Sequence, residues 1–125
     1  MKLPKTILIF DDDEDILDLC YIILSQKTYL VKTFLNVTNI LEKAREIRPD
    51  IIFIDNKIPD IGGASAVRLL KSDENLKHIP VIYFSAHNDI ASMALSAGAD
   101  AFLQKPFDIK EMEDIIEMHL QSRTA

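Results

Sequence analysis

Five polar residues of this 125-residue chain stand at or just beyond the ends of apolar runs, where their chemistry would be costly to waste. Asp11 and Asp12 follow Ile7–Phe10, Asp55 follows Ile51–Ile54, and Ser85 follows Val81–Phe84. Lys105 comes two residues after the weaker run Ala101–Leu103. A carboxylate at the end of an apolar strand is expensive unless something pairs with it. Two carboxylates about 4 Å apart repel by roughly 4 kcal/mol at an effective dielectric near 20, so three gathered together would partly protonate or hold a cation. Oxygen-only ligands favour a hard divalent ion, and a site with few protein ligands suits Mg²⁺ better than Ca²⁺. Lys105 adds a point charge suited to phosphate, and Ser85 a hydroxyl donor. A carboxylate nucleophile, Mg²⁺, a lysine and a hydroxyl make a phosphoryl-acceptor site, with Asp55 as the attacking group.

For these residues to meet, the runs that carry them must lie side by side. Four are apolar on consecutive residues, the mark of strands buried on both faces as in a parallel sheet covered by helices. A fifth, Tyr29–Phe34, alternates more, as an edge strand does. Helix-period segments fill the gaps. Ile16, Leu17, Leu19, Cys20, Ile23 and Leu24 form one stripe, with Asp13, Glu14 and Asp15 in the first turn, where the helix dipole favours acids. Leu41–Ile47 stops before Pro49, Ala64–Lys71 is a third helix, and Ile90–Ala97 ends at Gly98. Asp108-Ile-Lys-Glu111 reads as a capping box, with Met112, Ile115, Ile116 and His119/Leu120 on one side of the last helix. The order is β-α five times over, a doubly wound α/β sandwich. In such a fold the carboxyl ends of the strands share one edge, and ligands bind in the crevice outside it.

"ILIFDDDEDI", "FIDNKIPDIGG", "FSA" and "LQKPF", in that order and spacing, resemble the signature blocks of the response-regulator receiver domain of two-component signalling. The resemblance covers Lys5 to about Leu120. It implies a flavodoxin-like (βα)5 fold with parallel strand order 2-1-3-4-5, a single receiver domain over residues 1–125 with its core at about 5–120, and no output domain in this chain. It makes Asp55 the residue phosphorylated from a phosphohistidine donor. It makes Asp11, Asp12, Asp55 and the backbone carbonyl of Lys57 the holders of Mg²⁺, with Mn²⁺ able to stand in. Ser85 and Lys105 would contact the phosphoryl group, and Phe102 would be the aromatic switch residue. The Lys105–Pro106 bond would be cis, a state that only proline makes cheap.

The implied function is a phosphorylation-controlled switch, not a turnover enzyme, that self-phosphorylates with Mg²⁺ and loses the group slowly. It would change the face built from the fourth helix, fifth strand and fifth helix. Its partners would be a histidine kinase or phosphotransfer protein and a downstream target or fused output domain, with the receiver a monomer or a phosphorylation-dependent dimer. Lys57 and His87, two residues beyond Asp55 and Ser85, depart from the commonest pattern at positions that tune phosphoryl lifetime. The expectation is that Lys57 competes with Mg²⁺ for the carboxylates.

Other readings weigh less. A Mg²⁺-dependent phosphohydrolase with an aspartyl-phosphate intermediate shares the residue types, but carries its nucleophile in an Asp-x-Asp motif after the first strand and needs a cap. Flavin binding on this topology lacks a phosphate loop after Phe10. Gly62-Gly63 is a turn, Cys20 is core, and His78 and His119 are surface residues without metal-ligand spacing. The net charge of −6, 20 acidic against 14 basic residues, argues against nucleic-acid binding. No apolar run nears the roughly 20 residues that span a bilayer. The N-terminal MKLPKT has no apolar stretch of leader type behind it, and a single cysteine fits a reducing cytoplasm.

Overall fold

The computed structural model of the chain describes residues 4–122, with side chains through residue 120. The ends of the predicted 1–125 domain, and the Met1–Leu3 part of the N-terminal reading, lie outside the described residues. Strands β1 (Thr6–Phe10), β2 (Leu30–Phe34), β3 (Ile51–Asp55), β4 (Val81–Ser85) and β5 (Ala101–Gln104) alternate with helices α1 (Glu14–Ser25), α2 (Ile40–Ile47), α3 (Gly63–Ser72), α4 (Ile90–Ala97) and α5 (Ile109–Ser122). The five strands form one parallel sheet in the order β2-β1-β3-β4-β5.

The unbroken apolar runs are explained by two separate cores. Leu8, Phe10, Ile52, Ile54, Val81 and Tyr83 point to one side and pack with α2, α3 and α4. Ile7, Ile9, Ile51, Phe53, Ile82 and Phe84 point to the other and pack with α1 and α5. Because successive strand residues face opposite ways, a strand buried on both faces needs no polar position. Each such aliphatic or aromatic side chain contributes about 1.5–3 kcal/mol on burial.

Helix ends follow their local chemistry. Asp13 is the cap of α1, its carboxylate accepting from the N–H groups of Asp15 and Ile16, so of the three expected first-turn acids only Glu14 and Asp15 lie inside the helix. The capping box of α5 is reciprocal: Glu111 N–H donates to Asp108 (2.8 Å) and Asp108 N–H to Glu111 (3.1 Å). One expectation for the helices needs correction. Leu19 is about half exposed and leaves the α1 stripe, because it sits one residue off the Leu17–Cys20–Leu24 face. Asp55 and Ser85 are the last residues of their strands, polar ends to apolar runs, in register with Phe84 and Gln104.

Candidate functional site

The carboxyl edge of the sheet gathers the polar residues that the sequence separates. Asp11 leaves β1 with no exposed surface, and Asp55 and Ser85 are also buried. Lys105, one residue past β5, reaches back across the edge. Its ammonium lies 2.7 Å from Asp11 Oδ2 and 2.9 Å from Asp55 Oδ1, and 4.7 Å from the centre of the Phe84 ring beneath it. The Lys105–Pro106 bond is cis. Asp12 is exposed, yet one oxygen from each of Asp11, Asp12 and Asp55 lies within 4.8 Å of the others.

Backbone donors orient these carboxylates. Asp13 N–H bonds Asp11 Oδ1 at 2.9 Å, and Lys57 N–H bonds Asp55 Oδ2 at 3.1 Å. Ser85 Oγ accepts from His87 N–H (3.1 Å), and His87 Nδ1 in turn accepts from Asp89 N–H (3.0 Å). Burial pushes the Asp11 carboxyl above its ordinary range, against the opposing pull of Lys105 and of the Asp13 N–H. Burial also disfavours the charge on Lys105, but its hydrogen bonds to Asp11 and Asp55 outweigh that and hold its pKa above the usual lysine range.

Of the residues singled out in the sequence, Asp11, Asp12, Asp55 and Lys105 converge on one cluster, with Ser85 closing the end of the neighbouring strand. Lys57 reaches Asp55 through its backbone; its side chain is exposed and forms no ion pair among the described residues. His87 is exposed just beyond β4. Phe102 stands outward on β5, 43% exposed. His78 is exposed as expected, whereas His119 is half-buried on α5. Gly62 has φ +86°, as a turn glycine should, but Gly63 opens α3 and packs so tightly that a Cβ there would collide with the Asp55 carbonyl.

Two partners in this region escape a reading of the sequence. The Tyr83 hydroxyl, fully buried on β4, donates to Asn56 Oδ1 in the turn after Asp55. Burial, and then the negative charge of Asp55, raise the phenol pKa, so the group stays a donor. Counted as one more apolar strand residue, Tyr83 hides its role. The available signal is that a phenol in a strand buried on both faces must find a hydrogen-bond partner.

A five-stranded parallel sheet with this strand order, carrying a carboxylate cluster bridged by a lysine at its carboxyl edge, defines a class of α/β proteins that work at that edge. A family model of the response regulator receiver domain matches residues 7–117, and the chain belongs to that family. It is 29% identical over 120 residues to the polar-differentiation response regulator DivK of Brucella anthropi, covering 94% of this chain and 98% of that protein. It is 30% identical over 110 residues to the DNA-binding response regulator MtrA of Mycobacterium tuberculosis, covering 86% of this chain but 47% of that one. The chain thus spans about half the length of that DNA-binding regulator. A crystal structure of a response regulator from Chloroflexus aurantiacus superimposes with a TM-score of 0.88 at 26% identity, over 94% of this chain and 98% of that chain. The chain is therefore a receiver domain of two-component signalling, a class of phosphorylation-controlled switches and not of conventional enzymes. Among the described residues no helix is long and apolar enough to cross a membrane.

Proposed function

We propose that Asp55 accepts a phosphoryl group from a phosphohistidine on a histidine kinase or phosphotransfer protein. The observation that carries this reading is the Lys105 ammonium bridging Asp11 and Asp55, with Asp12 beside them. An Asp55 oxygen forms the new bond to phosphorus while the P–N bond to imidazole breaks, and the departing imidazole takes up a proton. Three carboxylates with oxygens this close form a hard donor set that fits Mg²⁺, with the Lys57 carbonyl as a further ligand and Mn²⁺ as a substitute. When bound, the ion supplies positive charge that offsets the charge on the transferring group. Lys105 then shares itself between Asp55 and a phosphoryl oxygen. Ser85 Oγ accepts from His87 N–H and keeps its own proton for the phosphoryl group.

In this reading Ser85 moves toward the modified Asp55 and Phe102 turns inward from its exposed position, altering the α4-β5-α5 face that a partner reads. Lys57 and His87 tune how long the acyl phosphate lasts. The receiver is a single domain of the cytoplasm. It passes its state to a downstream protein or a fused output domain, as a monomer or a phosphorylation-dependent dimer.

Acetyl phosphate and MgCl2 test the assignment, with intact mass and acid-gel mobility as readouts. Wild type is expected to gain one phosphoryl group and Asp55→Asn none. Incorporation by Asp55→Asn, or none by wild type, overturns it. Repeated turnover on small phosphate esters would point instead to a phosphohydrolase.

A further inference from the structure

The turn that follows Asp55 is held more firmly than its exposed lysine suggests. Asn56 N–H donates to the Phe84 carbonyl on β4 at 3.2 Å, and its own carbonyl accepts from Gly63 N–H at 3.2 Å. The Tyr83 hydroxyl supplies a third tie, to Asn56 Oδ1. On the far side of Lys57, Ile58 is buried in the core cluster shared with α2 and α3. The Lys57 N–H that orients Asp55 Oδ2 thus sits between two anchored residues, Asn56 and Ile58, although its side chain is in solvent.

Only the third tie comes from a side chain, and it reinforces the main-chain bond by which Asn56 N–H already joins the turn to Phe84 on β4. Tyr83 and Ser85 lie two residues apart on β4 and so share a face. Asn56 immediately precedes the peptide whose N–H holds the acceptor carboxylate. One phenol therefore couples the strand bearing Ser85 to the turn bearing Lys57.

We propose that Tyr83 is a positioning residue for the acceptor site, acting through Asn56 to fix the Lys57 peptide against Asp55. The proposal rests on the reading of Asp55 as acceptor and Lys57 as metal-holding peptide, and it adds a buried group that touches neither phosphoryl nor metal. The phenol hydrogen bond sets the angle of the Asn56 side chain and so resists rotation of the peptide that follows. Removing the hydroxyl leaves the ring to fill the core but frees Asn56 to turn toward water. Asp55 then loses a fixed donor to Oδ2, and the turn that would offer the Lys57 carbonyl is less well ordered.

The test compares the wild-type chain with Tyr83→Phe, Asn56→Ala and the double variant. Three measurements are made: amide hydrogen exchange of Lys57 without metal, MgCl2 affinity by calorimetry, and the unfolding midpoint in urea. Expected for Tyr83→Phe is faster exchange at Lys57 and Mg²⁺ affinity weaker by about three- to tenfold, within the range one hydrogen bond can carry. Exchange in β1 and the unfolding midpoint stay close to wild type. The double variant loses no more affinity than the weaker-binding single variant, because both substitutions remove one interaction. Unchanged Lys57 exchange and unchanged Mg²⁺ affinity in Tyr83→Phe overturn the proposal, as do losses that simply add in the double variant. A drop in affinity matched by loosened exchange throughout the sheet also overturns it, leaving only a structural role. Should Tyr83→Phe not fold, Asn56→Ala at the half-buried start of the turn decides by the same two readouts. The exchange measurement needs neither metal nor phosphoryl group, so its result is separate from any failure of wild type to accept phosphate.

Discussion

The two ends of the sheet are built from the same strands and treat charge in opposite ways. At the amino edge, carboxylates are taken up by a lysine and by backbone N–H groups at the strand starts. Asp100 Oδ2 receives both the Lys71 ammonium and Val81 N–H at 2.8 Å, and Lys71 also reaches the Ile79 carbonyl at 3.1 Å. Asp50 Oδ2 takes Thr6 N–H at 2.8 Å, and its own N–H returns to the Thr6 carbonyl. At the carboxyl edge three carboxylates gather, and one lysine bridges two of them, Asp11 and Asp55. One end closes on itself and stabilises the fold; the other keeps carboxylates in excess of its bridging lysine, a charge that a further cation or a proton relieves. A sheet can tolerate such an edge because the two cores beneath it supply the stability.

Removing the cation that bridges the carboxyl edge breaks the contrast most severely. Lys105→Met leaves Asp11 and Asp55 buried and facing each other without a counter-charge. The expected loss is about 3–5 kcal/mol in chelator, as when one partner of a buried pair is deleted. Urea unfolding measures it, and saturating MgCl2 is expected to recover a large part. Equal losses with and without Mg²⁺ would show that the carboxylates do not act as one charge cluster.

Gly63→Ala disturbs the same edge by volume and not by charge. The new Cβ would run into the Asp55 carbonyl and lie 2.9 Å from Asn56 Cα, both backbone atoms that cannot swing aside. We expect about 1–3 kcal/mol of destabilisation, with reduced phosphorylation by acetyl phosphate as α3 is pushed off the turn. A variant as stable and as readily phosphorylated as wild type would mean that α3 can retreat without moving Asp55.

The amino edge provides the control. Lys71→Met removes the ammonium held between Asp100 and Ile79, and Asp100 keeps Val81 N–H. A loss of about 1–2 kcal/mol is expected, smaller than for Lys105 because Asp100 is partly solvated. Phosphorylation rate and Mg²⁺ affinity should match wild type. If either falls alongside the stability, the two edges are coupled and the comparison is wrong.

This contrast also explains what the sequence could and could not reveal. Unbroken runs such as Ile7–Phe10 announce strands buried on both faces, and a charge placed directly after such a run is conspicuous. Asp11, Asp55 and Lys105 were therefore legible, and so was the edge that unites them. Strand order was not, since periodicity fixes the number of strands but not their neighbours; it came with the family blocks. The Asp50–Thr6, Lys71–Asp100 and Asp100–Val81 contacts were hidden because they join residues 19 to 44 positions apart at sites with no distinctive pattern. Leu19 misled because a helix of 12 residues with apolar side chains nearly all round does not declare which of them the sheet will cover.

Lys57 gives the smallest and most discriminating test. Its position two residues after Asp55 suggests a cation that competes with Mg²⁺, yet its ammonium is exposed and forms no ion pair among the described residues, while its N–H binds Asp55. An exposed charge is screened by water and salt, so Lys57→Ala should change Mg²⁺ affinity by less than about threefold at physiological ionic strength. Phosphoryl half-life is the more sensitive readout, because a long cationic side chain near the acceptor can steer or block an attacking water without touching the carboxylates. If affinity rises well beyond that limit in Lys57→Ala, the side chain does compete for the cluster, and the negative excess at the carboxyl edge is offset by a second cation in solution. If affinity holds while half-life shifts, the two functions of this residue separate: its backbone belongs to the site, and its side chain acts only on what approaches it.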